Sequence, residues 1–186
     1  TLTLIKRGSA KAFYQGTIAE AIVAASKQHG GALSLKDFQN YDIENLPPIY
    51  CQYRGYQIIS APPPSSGGIT LCLMLNILNK HPLFETGLMS ARTVSLLVEA
   101  MRYAYADRNQ HLGDPNFVKI PQDKLLSEQY ATSIRNKIKQ GKAGDSSKIG
   151  IKLNKNLEKP ETTSYAVVDK YGNAVEVTYT INGYFG

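Results

Sequence analysis

Apolar residues along the chain recur first at helical spacing, then at strand spacing, and then alternate between the two. Ile18, Ala21, Ile22 and Ala25 repeat at three- and four-residue intervals and predict an amphipathic helix that His29, Gly30 and Gly31 bring to a stop. Thr17 and Glu20 stand at its start in the spacing of a capping box. Ser34 with Asp37 repeats that signal for a short helix ending near Tyr41, after which Pro47 and Pro48 force an extended passage. The runs from Ile49 to Arg54 and from Tyr56 to Ala61, joined through Gly55, predict a β-hairpin. Ile69, Leu71, Cys72, Met74, Leu75, Ile77 and Leu78 are almost wholly apolar and predict a deeply buried helix with Ser66 as its N-cap. Ser90 opens a longer helix reaching about His111, with Val94, Leu97, Val98, Met101 and Tyr105 on one stripe and Gly113, Asp114 and Pro115 ending it. A last helix runs from Ser127 through Tyr130, Ile134 and Ile138 to Gly141, and the polar stretch from Lys142 to Pro160, with no clear period, reads as a mobile surface connection.

That connection leads into a second hairpin, the stretch with the most chemistry. Two runs rich in Val, Thr and Tyr flank Asp169, Lys170, Tyr171 and Gly172, with Asp and Gly placed as a type I turn followed by a left-handed glycine requires. A three-residue loop of Lys170, Tyr171 and Gly172 sets Asp169 against Asn173, and counting outwards sets Thr162 directly opposite Thr180 with neighbouring side chains on one sheet face. Facing threonines are also an ordinary stabilising pair in a sheet, so spacing alone does not make them a site.

Composition narrows the classes. A chain of 186 residues with 42% apolar content can bury one sizeable core and carries no signature of disorder or low complexity. The net charge of +6 is spread along the chain, with a looser basic concentration from Arg135 to Lys159, which fits a solvated surface better than a nucleic-acid interface. No apolar run is long enough to span a membrane. The opening Thr1, Leu2, Thr3, Leu4 lacks both an initiator Met and a secretory pattern and reads as the interior of something longer. His29, His81 and His111 are scattered, and Cys51 and Cys72 do not complete a metal set. The two cysteines read as buried small hydrophobes that can pair in an oxidising compartment.

Two further stretches carry chemistry-bearing residues. Pro62 to Gly68 leads into a helix N-terminus and could seat an anion, but no Lys follows the glycines as in a nucleotide-binding loop, which favours a rigid strand-to-helix turn. Glu99, Asp107 and Arg108 could serve as acid and base, yet nothing brings a nucleophile near them in sequence, and ion pairing at a helix surface explains them as well.

Taken together, the wording of three blocks resembles the γ-glutamyltransferases (γ-glutamyltranspeptidases) of the N-terminal nucleophile hydrolase superfamily. The first is Thr162, Thr163, Tyr165, Val167, Val168, Asp169, Lys170, Gly172, Asn173, Ala174, Val175, Val177, Thr178, Tyr179, Thr180 and Asn182; the second is Pro62 to Gly68. The third is Glu99, Ala100, Tyr103, Ala104, Tyr105, Ala106, Asp107, Arg108, Leu112, Gly113, Asp114, Pro115, Phe117, Val118 and Pro121. The resemblance covers nearly all of residues 10 to 186. It implies an α+β fold that is part of a four-layer αββα sandwich, with residues 1–160 the later part of a large subunit and 161–186 the processing site and first hairpin of a small one.

The activity implied is transfer of a γ-glutamyl group from glutathione or a similar donor to Thr162 and then to water, an amino acid or a dipeptide, without cofactor or metal. Carried over residue by residue, Glu161 precedes the self-cleavage point and Thr162 is nucleophile and new amino terminus. Thr180 is its hydroxyl partner in the catalytic and substrate-binding site, and Asn182 a ligand for the donor's α-amino group. A freed α-amine, which ordinarily titrates at ~7.7 to 8.0, can take the proton of its own residue's hydroxyl, so no histidine is required. Ser164 stands where the family frequently has His, and the family's upstream Arg and its small-subunit acidic, Ser and Gly-Gly elements fall outside the chain. The remaining partners are the rest of the two subunits, with no nucleic acid and no membrane span in this chain, and the family is typically periplasmic, secreted or anchored facing outwards. Two alternatives stay open: a related acylase or poly-γ-glutamate transferase with the same Thr nucleophile, and an inactive scaffold fragment when the chain is isolated.

Overall fold

The computed structural model describes residues 1–139, 141–149 and 162–180, and these divide into two compact units, Thr1–Pro48 and Ile49–Gly186. The first unit is helical: α1 (Leu2–Tyr14), α2 (Thr17–Gln28) and α3 (Leu35–Gln39). Ile18, Ala19 and Val23 on one face of α2 form its buried part. Phe13 meets Phe38 at a ring separation of 6.2 Å, and Tyr14 stacks on Tyr41 at 5.1 Å. The capping box expected at Thr17 does not form, because Gly16 takes the cap position in extended conformation and its carbonyl accepts the Glu20 amide. The second box does form: the Asp37 carboxylate accepts from the Ser34 amide and hydroxyl, both at 2.8 Å.

The second unit is mixed helix and antiparallel sheet. Strands β1 (Ile49–Tyr53) and β2 (Tyr56–Ser60) pair around Arg54 and Gly55, both at positive φ, the two-residue turn whose twist matches that of paired strands. Helix α4 (Gly67–Leu78) is central, burying Ile69 and Cys72 with Ile49 of β1 and Leu125 of α6 (Gln122–Leu125). Its other buried residues, Leu73, Ile77 and Leu78, meet Leu96, Ala100 and Ala104 of α5 (Ala91–His111) and Ala131 and Ile134 of α7 (Glu128–Arg135). A Cβ on Gly68 would fall well inside contact distance of the Ala61 carbonyl oxygen, so only glycine lets the first turn of α4 approach the end of β2 so closely. Cys51 and Cys72 are joined in a disulfide that ties β1 to α4, and Cys72 is wholly buried.

Three sequence expectations change here. Helix α5 does not bury the stripe of Val94, Val98, Met101 and Tyr105, which are 36 to 47% exposed among the described residues; it buries Leu96 together with Ala100 and Ala104, and the small side chains of the two alanines let α4 come close. Ser66 does not cap α4 through its side chain, since its hydroxyl accepts from the Arg108 guanidinium at 3.2 Å. The stretch from Lys142 is not free throughout: Ser146–Ile149 forms a 3₁₀ turn held against α5. Residues 150–160 of the expected connection lie outside the described residues.

Candidate active site

The hairpin forms as its alternation and turn residues dictate. Strands β3 (Thr162–Val168) and β4 (Ala174–Thr180) pair antiparallel with Thr162 opposite Thr180, Ser164 opposite Thr178 and Val168 opposite Ala174. The loop is set by Asp169, whose amide donates to the Asn173 carbonyl at 3.0 Å and whose carbonyl accepts from Gly172 at 3.1 Å. Its carboxylate accepts from the Tyr171 amide at 2.8 Å, the Asn173 amide at 3.0 Å and the Asn173 side chain at 2.8 Å. These bonds, the Asn173 side chain foremost, hold the Asp169 carboxyl below the usual carboxylate range. Gly172, at φ +84°, takes the left-handed position that closes the three-residue loop.

Of the four site residues expected from the sequence, the register therefore brings two together, Thr162 and Thr180. Glu161 and Asn182 lie outside the described residues. Sequence reasoning missed the hydroxyls further along the strands: two pairs inward, the Thr178 hydroxyl donates to the Ser164 hydroxyl at 3.1 Å, which donates to the Glu176 carboxylate at 3.0 Å. The signal was present, since Thr162, Ser164, Thr178 and Thr180 share one face at period two once the register is counted.

The other chemistry-bearing groups have partners of their own. Glu99 is ion-paired with Arg102 at 2.6 Å as expected, but it is buried and not at the helix surface. Asp107 accepts the Tyr130 phenol on both oxygens, at 2.9 and 2.8 Å, with His111 at 4.0 Å. Burial raises the Asp107 carboxyl above its usual range, partly offset by the Tyr130 bond, and burial together with Asp107 pushes the Tyr130 phenol up. Ser66 and Arg108 meet at the mouth of α4 beside a cavity of about 230 Å³. Among the described residues no group of three or more His, Cys, Asp or Glu side chains converges as a metal site would need, and no helix is long and apolar enough to cross a membrane.

Residues 1–186 match the γ-glutamyltranspeptidase family as a whole. The chain belongs to that family. It is 47% identical over 188 residues to a glutathione hydrolase proenzyme of Pseudomonas sp. (strain A14), and that match takes in all of this chain and 32% of the relative. It is 39% identical over 188 residues to an acylase ACY 1 proenzyme of Pseudomonas sp. (strain V22), again over the whole chain and 33% of the relative. Among solved structures, the γ-glutamyltranspeptidase of Helicobacter pylori superposes with a TM-score of 0.77 at 39% identity, covering 82% of this chain and 44% of that one. The chain thus spans about a third of the length of the curated relatives it matches, and γ-glutamyltranspeptidase relatedness extends over both of its units.

Proposed function

We propose that the chain is part of a γ-glutamyltransferase proenzyme that cleaves itself between Glu161 and Thr162 and then transfers γ-glutamyl groups from glutathione or similar donors. The observation that carries this reading is the register that sets Thr162 at the head of β3 directly opposite Thr180, inside a family match covering the whole chain. In the self-cleavage, the Thr162 hydroxyl adds to the Glu161 carbonyl and the Glu161–Thr162 peptide bond breaks, giving an ester. Water then hydrolyses that ester, releasing a Glu161 carboxylate and the α-amine of Thr162.

In turnover that amine accepts the hydroxyl proton as the Thr162 oxygen attacks the γ-carbonyl of the donor. The leaving amine departs with a proton, and water, an amino acid or a dipeptide takes the γ-glutamyl group from the threonine ester. Thr180 fixes the nucleophile's rotamer, and Asn182 binds the donor's α-amino group. The groups that stabilise the oxyanion come from the rest of the small subunit. The larger assembly is a four-layer αββα sandwich to which residues 1–160 give large-subunit helices and a hairpin, and residues 161–186 the processing site and first hairpin of the small subunit.

We place the protein in the periplasm or outside the cell, a reading supported by the Cys51–Cys72 disulfide, since such bonds persist in oxidising compartments. An acylase is the second reading, favoured by the 39% identity to an acylase proenzyme. Assaying the full-length protein with a chromogenic γ-glutamyl donor and with an acyl-amide donor separates them. Turnover of the first alone supports the transferase, and turnover of the second alone overturns it.

A further inference from the structure

The polar segment that precedes the cleavage point is fastened to α5 at a built contact. Glu99 is 4% exposed, and its carboxylate is fully engaged, accepting from the Arg102 guanidinium on both oxygens at 2.6 Å and from the Gly144 amide at 2.9 Å. Arg102 also donates through Nε to the Ser146 hydroxyl at 3.0 Å. Asp145, between them, accepts from the Ser147 amide at 3.0 Å and the Ser147 hydroxyl at 2.7 Å, which shapes the 3₁₀ turn Ser146–Ile149. At Gly144 a Cβ would meet the Glu99 carboxylate and the Arg102 guanidinium far inside contact distance, so a side chain there would have to displace the ends of both. A buried carboxylate, its paired guanidinium and a glycine that both require therefore converge on one short stretch of backbone.

We propose that Glu99 and Arg102 form a docking clamp that holds Gly144–Ile149 in place both before and after the self-cleavage. The second half of this statement rests on the reading of Glu161–Thr162 as the cleavage point; the clamp itself does not. An ion pair buried in this way holds backbone better than a surface pair would, because the carboxylate gives up its water and a lost amide donor is not replaced.

Limited trypsin digestion of the full-length protein, followed by mass spectrometry of the cut after Lys148, tests the clamp. Gly144→Ala, which changes a loop residue and sets a Cβ against Glu99 and Arg102, and Arg102→Ala, which removes the Ser146 half and unpairs Glu99, should each speed that cut about tenfold while the cut after Lys124 keeps its rate. An unchanged rate after Lys148 in Gly144→Ala, or an equal rise after Lys124 that marks general unfolding, would overturn the clamp. Protection of Lys148 should be equal in the processed protein and in the uncut Thr162→Ala precursor; protection lost on processing overturns its persistence. If the wild-type protein shows no cut before Thr162, the reading of the cleavage point fails, while the Lys148 rates still decide the clamp.

Discussion

At the scale of single residues, the account rests on hydroxyls and carboxylates whose neighbours determine what they do. Replacing Thr180 with Val keeps the shape of the strand residue and removes the hydroxyl opposite Thr162. Loss of the proposed hydrogen bond to the nucleophile, worth about 1 kcal/mol, predicts processing or turnover slowed about fivefold in the full-length enzyme with its thermal stability retained. An unchanged rate would leave the facing pair a purely structural one. Asp107 gives a prediction of opposite sign to ordinary acid unfolding. Burial raises its folded-state carboxyl above its unfolded value, so the folded chain takes up that proton first and gains stability as pH falls through the interval between the two values. Ionised at neutral pH, the same group costs stability. Wild type should therefore gain stability relative to Asp107→Asn as pH is lowered from 7 towards 4, read as the difference between their urea midpoints, and a difference that stays flat would contradict the burial assigned to it. Asp37, Asp145 and Asp169, held low by their hydrogen bonds, work in the other direction and are common to both proteins.

At the scale of elements, close approach decides what the sequence could and could not reveal. The second hairpin was legible to the residue, because Asp169 and Gly172 admit one loop length and that length fixes every pair out to Thr162 and Thr180. The first hairpin was equally plain from Gly55. The buried face of α5 was not, since two of its residues, Ala100 and Ala104, carry far less apolar surface than the Val94, Val98, Met101 and Tyr105 stripe and are buried beside Leu96 because their small side chains let α4 pack against them. Docking of Gly144–Ile149 was hidden for a related reason: its partners, Glu99 and Arg102, lie more than forty residues away on another helix. The cysteine pairing depended on β1 and α4 being adjacent, which spacing does not reveal.

Gly68 is the sharpest case of such an approach. Gly68→Ala should destabilise the chain by about 1 to 3 kcal/mol through overpacking against Ala61, read from the shift in urea midpoint. The disulfide closes a loop with a separation of 21 residues, and its reduction should cost about 3 kcal/mol, read as the difference between unfolding curves with and without reductant.

At the scale of the whole molecule, the chain holds the proposed nucleophile but only a third of the length of its relatives. Among the described residues the hairpin leaves Tyr165, Val167, Val168 and Val175 more than half exposed. Such an apolar strand surface pairs with other copies. Purified residues 1–186 should associate in a concentration-dependent way by sedimentation, and Val167→Lys should reduce it. The same chain should show no turnover of a chromogenic γ-glutamyl donor, because losing even one oxyanion donor costs ~100 to 1,000-fold and the proposed pocket draws several from beyond Asn182. The central claim, that one hydroxyl on β3 starts both the cleavage and the transfer, is met most directly by intact-mass spectrometry of the full-length protein and its Thr162→Ala variant, with donor turnover measured on the same samples. The account predicts a wild type split before Thr162 and active, and a variant that stays in one piece with turnover at least ~1,000-fold lower; a variant that is still cut there, or still turns over, would contradict it.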